Sequence, residues 1–238
     1  MTLFHLLYWL RLAHPAARWA VSAASLAVFA AFYSAYINPI FGLGMTAMLC
    51  VHEAGHLLAA RWRRVPADPP VFLPFVGALM LIDAEAQHRA GQPDDGAFVA
   101  IGGPALGTAG ACVCWALGVA LQSEALTTAA WAGMALNLFN LIPMAPLDGG
   151  QIVEAVSAPL MWSLGLHTLA VLLFVLPEPM LAVLALVAGP LLITRFLMGG
   201  AAGLDAPALL EGRLRWAYGL GYTLLVAVTA LGLALVRP

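Results

Sequence analysis

Cys50-Val51-His52-Glu53-Ala54-Gly55-His56-Leu57 decides how this chain folds and where its chemistry sits. The segment lies in an apolar run, with Met45, Met48, Leu49 and Leu58 around it. Residues four apart on a helix share a face, so the imidazoles of His52 and His56 converge on one point. Neutral imidazole nitrogen is a good zinc ligand at about 2.0–2.1 Å. Glu53 is the next residue round the helix from His52, close enough to reach a water beside such a metal without being a ligand itself. An ionisable residue within a membrane span costs about 2.5–3.5 kcal/mol on insertion scales. Three together need a compensating partner, and a divalent cation supplies one.

Composition makes that apolar run a membrane span. Of the 238 residues, 63% are hydrophobic and only 9% charged, and the mean hydropathy is +0.93. Soluble domains carry about a quarter charged residues, so lipid must cover much of this surface. A net charge of −2, with no lysine, offers nucleic acid no basic face. Cys50, Cys112 and Cys114 all sit in apolar runs and read as small packing residues rather than disulfides or a thiolate zinc site.

Runs of about 20 apolar residues cross the hydrocarbon. They predict spans near 19–37, 41–60, 97–121, 125–143, 159–176, 179–197 and 215–236, the fifth and sixth meeting as a hairpin at Pro177-Glu178-Pro179. Residues 3–12 read as an interfacial lead-in helix rather than a cleaved signal peptide. The expected fold is an all-α polytopic membrane protein of six to seven transmembrane helices. It forms a single domain over 1–238, with a core at about 41–155 and accessory helices at about 1–40 and 156–238. With the N-terminus cytoplasmic, every arginine except Arg237 falls on the cytoplasmic side, as the positive-inside rule requires. Val71 to Ile82 is apolar but too short to span, and Pro69, Pro70, Pro74 and Gly77 oppose a helix. It is expected to fold as a membrane-embedded strand or re-entrant loop beside a cavity, which non-helical backbone at that depth requires.

A catalytic zinc usually has three protein ligands and one open position. Asp148 is the expected third, in Asn140-Leu141-Ile142-Pro143-Met144-Ala145-Pro146-Leu147-Asp148-Gly149-Gly150. This stretch follows an apolar run that returns to the same side as His56. Pro143 and Pro146 stop the helix, and Gly149-Gly150 permits tight backbone behind the carboxylate.

His52-Glu53-Ala54-Gly55-His56 is the H-E-x-x-H arrangement of zinc peptidases. Together with Leu147-Asp148-Gly149-Gly150 it resembles the site-2 protease family of intramembrane zinc metallopeptidases. Asn140 and Pro143 match the asparagine and proline that lead into that family's Leu-Asp-Gly motif. Gly102-Gly103-Pro104 resembles its Gly-Pro in the middle core span, and Pro74-Phe75-Val76-Gly77 its Pro-Phe-x-Gly segment near the active site. Four motifs in family order cover roughly residues 41–155. The resemblance implies one zinc per chain, water activation by Glu53, and hydrolysis of peptide bonds within or beside transmembrane helices of membrane-protein substrates. The sequence shows no PDZ insertion and no CBS pair, so a small member is expected.

His56 lies five residues before Arg61, which puts the metal about 8 Å beneath the cytoplasmic interface. Asn140 is a candidate for binding substrate backbone or oxyanion, or else a helix-packing amide. A substrate helix must unwind to expose a peptide bond, and an edge strand from Val71 to Ile82, with Val76 and Gly77 as candidate contacts, could hold it by β-addition. Asp94-Asp95-Gly96 reads as a turn before the third span. Asp83, Glu85 and His88 read as a solvated loop, and His167 as a packed histidine. A prokaryotic plasma membrane suits the alanine- and leucine-rich composition. Two other classes stay open: a non-proteolytic relative that binds membrane proteins, and an ion or solute transporter.

Overall fold

The computed structural model describes residues 14–74, 77–79, 92–144, 147–157 and 210–236. Six helices and one hairpin occur among them: α1 (Pro15–Tyr36), α2 (Pro39–Arg63), β1 (Val71–Leu73), β2 (Gly77–Leu79), α3 (Asp95–Leu121), α4 (Glu124–Asn140), α5 (Asp148–Val156) and α6 (Gly212–Leu235). Helices stand at five of the expected spans. The expected spans 159–176 and 179–197, the lead-in at 3–12, Asp83, Glu85, His88 and His167 lie outside the described residues. By length and apolarity α1, α3 and α6 can cross a membrane. The helix carrying His52, Glu53 and His56, and the 17-residue α4, are not among those three.

Local chemistry sets the helix ends. Asn38 Oδ1 accepts the Phe41 N–H at 2.8 Å, and Pro39 follows at the first helical position, where a missing donor costs nothing. Arg64 closes α2 in the left-handed conformation, φ 58°. Ser123 caps α4 through Leu126 N–H at 3.4 Å. Pro104 sits inside α3, whose helix runs on through it to Leu121.

α2, α3 and α4 pack against one another and form the centre. α1 lies on α2, while α6 lies on α4 and α5. Ten residues of α3 are buried, against two each in α1 and α6. The outer helices therefore show their apolar sides, with Trp19, Val28, Leu220 and Leu224 all more than half exposed. That is the pattern of lipid-facing helices, since lipid tails are as apolar as leucine and do not drive helices together. Close packing must do that instead, and the α2–α3 crossing provides it. A Cβ at Gly55 would overlap the Gly102 carbonyl, and one at Gly102 would reach the Gly55 carbonyl.

β1 and β2 pair antiparallel, with Val71 opposite Leu79, Phe72 opposite Ala78 and Leu73 opposite Gly77. Phe72 is buried in one cluster with Phe29 of α1, Leu49 of α2 and Leu136 of α4. Its N–H donates to Ser25 Oγ of α1 at 3.0 Å, so α1 covers the outer edge of β1. Among the described residues no other strand pairs with β2.

A partly buried ion cluster ties the end of α2 and the start of α3 to α6. Arg63 donates to both oxygens of Asp94, at 3.2 and 2.7 Å, and to Asp95 Oδ1 at 3.2 Å. Tyr218 of α6 donates to Asp94 Oδ2 at 2.8 Å. Burial pushes the Asp94 carboxyl up, but the bonds from Arg63 and Tyr218 outweigh it and hold it below the ordinary carboxylate value. The sequence reading of Asp94-Asp95-Gly96 as a turn gave no hint of this pairing.

Candidate metal centre

α2 supplies His52, Glu53 and His56 from its buried face, and Asp148 enters as the first residue of α5. The turn before α5 is held from outside: Tyr222 of α6 donates to the Leu141 carbonyl at 2.6 Å. The stop at Pro143 thus delivers the carboxylate back to the histidine pair. His52 Nε2 and His56 Nε2 lie 3.1 Å apart, and Asp148 Oδ2 is 3.3 Å from each. Glu53 Oε1 is 3.9 Å from His52 Nε2, and all four side chains are buried.

Hydrogen bonds on the far side of each ring decide what faces the middle. His56 Nδ1 lies 2.8 Å from the Val99 carbonyl, which can only accept, so Nδ1 carries the proton. His52 Nδ1 lies 2.8 Å from Asn137 Oδ1. The Asn137 Nδ2 donates to the Gly133 carbonyl at 2.6 Å, which turns its oxygen toward His52. With Nδ1 carrying the ring proton, the neutral form of each imidazole aims a bare Nε2 lone pair at the other ring and at a carboxylate oxygen. Asp148 Oδ2 has no hydrogen-bond partner.

Three buried acceptors in a triangle of 3.1–3.3 Å edges repel one another unless a cation sits among them. A tetrahedral ion with donors at 2.0–2.1 Å places them about 3.3 Å apart. The donor set and its spacing therefore fit zinc. No other group of three His, Cys, Asp or Glu side chains among the described residues is close enough to share an ion.

The remaining expected positions fall elsewhere. Asn140 donates to the Leu136 carbonyl of its own helix at 3.0 Å. Gly77 opens β2 with φ 95°, and Val76 lies outside the described residues. Asn137, which touches His52, was not singled out from the sequence, because the motif leading to Asp148 drew attention to Asn140 one turn later. An amide within the apolar run from Trp131 to Phe139 was the available signal.

Residues 123–162 match the model of Peptidase family M50, a stretch that contains Asp148 but not the histidine pair. The chain is also 32% identical over 135 residues to Rip3 of Mycobacterium tuberculosis, a protein named as a zinc metalloprotease, in strains Erdman and H37Rv. That alignment covers 52% of this chain and 33% of the relative, so the chain spans about a third of the length of the curated relatives it matches. The resemblance to the site-2 protease family is borne out by these matches.

Proposed function

We propose, from a chain similar to Peptidase family M50 and to a protein named as a zinc metalloprotease, that this protein is an intramembrane zinc endopeptidase. It would cleave peptide bonds within or next to transmembrane segments of membrane proteins. The observation that carries the reading is the convergence of His52 Nε2, His56 Nε2 and Asp148 Oδ2, with the Glu53 carboxylate beside them.

In this reading His52, His56 and Asp148 hold one zinc. Zinc bound there would lower the pKa of water toward ~7 and polarise the scissile carbonyl. Glu53 Oε1 takes a proton from the attacking water as its oxygen adds to the carbonyl carbon. The same carboxyl then gives that proton to the amine nitrogen as the C–N bond breaks. The buried surroundings of Glu53 keep bulk water from competing for the transfer. Among the described residues β2 is the strand with an edge to offer an unwound substrate, since α1 covers β1, and β-addition would hold the peptide extended.

The proposal extends to six or seven spans around a core at about 41–155, an N-terminus in the cytoplasm, and a metal close to the cytoplasmic face of a prokaryotic plasma membrane. Arginine placement supports that orientation.

The test is zinc content and cleavage together. Purified in detergent, wild type should carry one zinc per chain and cut a transmembrane substrate, and Glu53→Gln should keep the zinc and lose the cutting. Zinc without cleavage of any substrate panel would favour a binding protein, and metal-free protein that moves ions a transporter.

A further inference from the structure

The two histidines are oriented by different means. His56 is held by a backbone carbonyl, but His52 depends on a side chain of another helix. Asn137 is fully buried in α4, with 0% of its surface exposed. Its Nδ2 is fixed on the Gly133 carbonyl, so its Oδ1 can only accept from His52 Nδ1. On the far side stands Gly107 of α3, where an added Cβ would overlap Asn137 Oδ1 and crowd Nδ2 at 2.7 Å. α3 therefore leaves a slot one amide wide, and α4 fills it.

We propose that Asn137 is a positioning residue of the metal centre, setting the tautomer and ring orientation of His52, and that Gly107 is glycine to keep the slot for that amide. The inference rests on the metal reading above. Partners that hold a ligating histidine by its second nitrogen typically contribute 10- to 100-fold in metal affinity.

The experiment measures zinc dissociation constants of the purified full chain by chelator competition, with the melting temperature of the metal-free protein read in parallel. Asn137→Ala should weaken zinc by about 10- to 100-fold. Gly107→Ala should weaken it too in the wild-type background, by pushing the amide off His52. In the Asn137→Ala background the added methyl meets no amide, so Gly107→Ala should change affinity by less than about twofold. Asn140→Ala, whose amide bonds within its own helix, should bind zinc as wild type does.

Wild-type affinity in Asn137→Ala, with zinc present in the parent, overturns the role of Asn137 alone. An equal loss from Gly107→Ala in both backgrounds overturns the slot. Absence of zinc from wild type overturns the metal reading and this inference together. Should Asn137→Ala yield no folded protein, Gly107→Ala displaces the amide without removing it and decides the matter.

Discussion

His56 Nδ1 bonds the Val99 carbonyl at 2.8 Å, across the interface between α2 and α3. One ring thus reports the spacing of two helices. Gly103, four residues on from Val99 along α3, lies against the other side of that ring: an added Cβ would overlap His56 Nε2 and sit 2.7 Å from Cδ2. Gly103→Ala should therefore displace the proposed ligand atom itself. Its zinc affinity is expected to fall at least about tenfold, a loss to be read by chelator competition.

Removing the metal should cost stability, and removing Asp148 from the metal-free protein should not. Zinc at a hundred times its dissociation constant stabilises the folded state by about 2.7 kcal/mol. Wild type should melt higher with zinc than after chelation, and Asp148→Ala should lose that rise. Without metal, Asp148→Ala relieves the repulsion among three acceptors. Its metal-free melting temperature should equal or exceed that of metal-free wild type. A clear drop would show that the triangle is stable without a cation.

The Asp94 cluster predicts an acid-sensitive fold. Its carboxyl is held below the ordinary value of 3.8, so the folded state favours the ionised form. The stabilisation is full above that value and disappears as pH falls through the lower, folded one. Melting of wild type and Asp94→Asn should differ most near neutral pH, wild type being higher, and the gap should narrow as pH falls below the ordinary carboxylate range. At neutral pH Tyr218→Phe should cost about 1.5–3 kcal/mol, the range for a bond to a charged partner. A gap that persists in acid would remove the carboxylate from the account.

Gly77 tests the hairpin. Its φ of 95° lies where proline cannot go and other side chains are strained. Gly77→Pro should disrupt β2 while leaving the metal residues, which lie on α2 and α5, untouched. The expected result is unchanged zinc content with loss of cleavage of a membrane substrate. Unchanged cleavage would rule out strand addition at β2.

Among the described residues, helices were legible where apolar runs were long, because composition and length favour them there. The ends of α2, α3 and α4 fall within a few residues of expectation, where Asn38-Pro39, Gln122-Ser123 and Pro143 punctuate the chain. The convergence of His52, His56 and Asp148 was readable because helical spacing and a Pro-Gly-rich stop are local features. Asn137 and the Arg63–Asp94–Tyr218 cluster were not, since each depends on which helix lies beside which. Asn137 and Asn140 look alike in sequence, and only packing shows that one faces His52 and the other its own helix.

The Gly55–Gly102 crossing closes the gap between α2 and α3 at that point, because the two backbones touch there with no side chain between them. Nothing the width of a polypeptide fits between the two helices at that level. Widening that crossing by even one methyl group would push α3 off the histidine-bearing α2, and with it the Val99 carbonyl that holds His56.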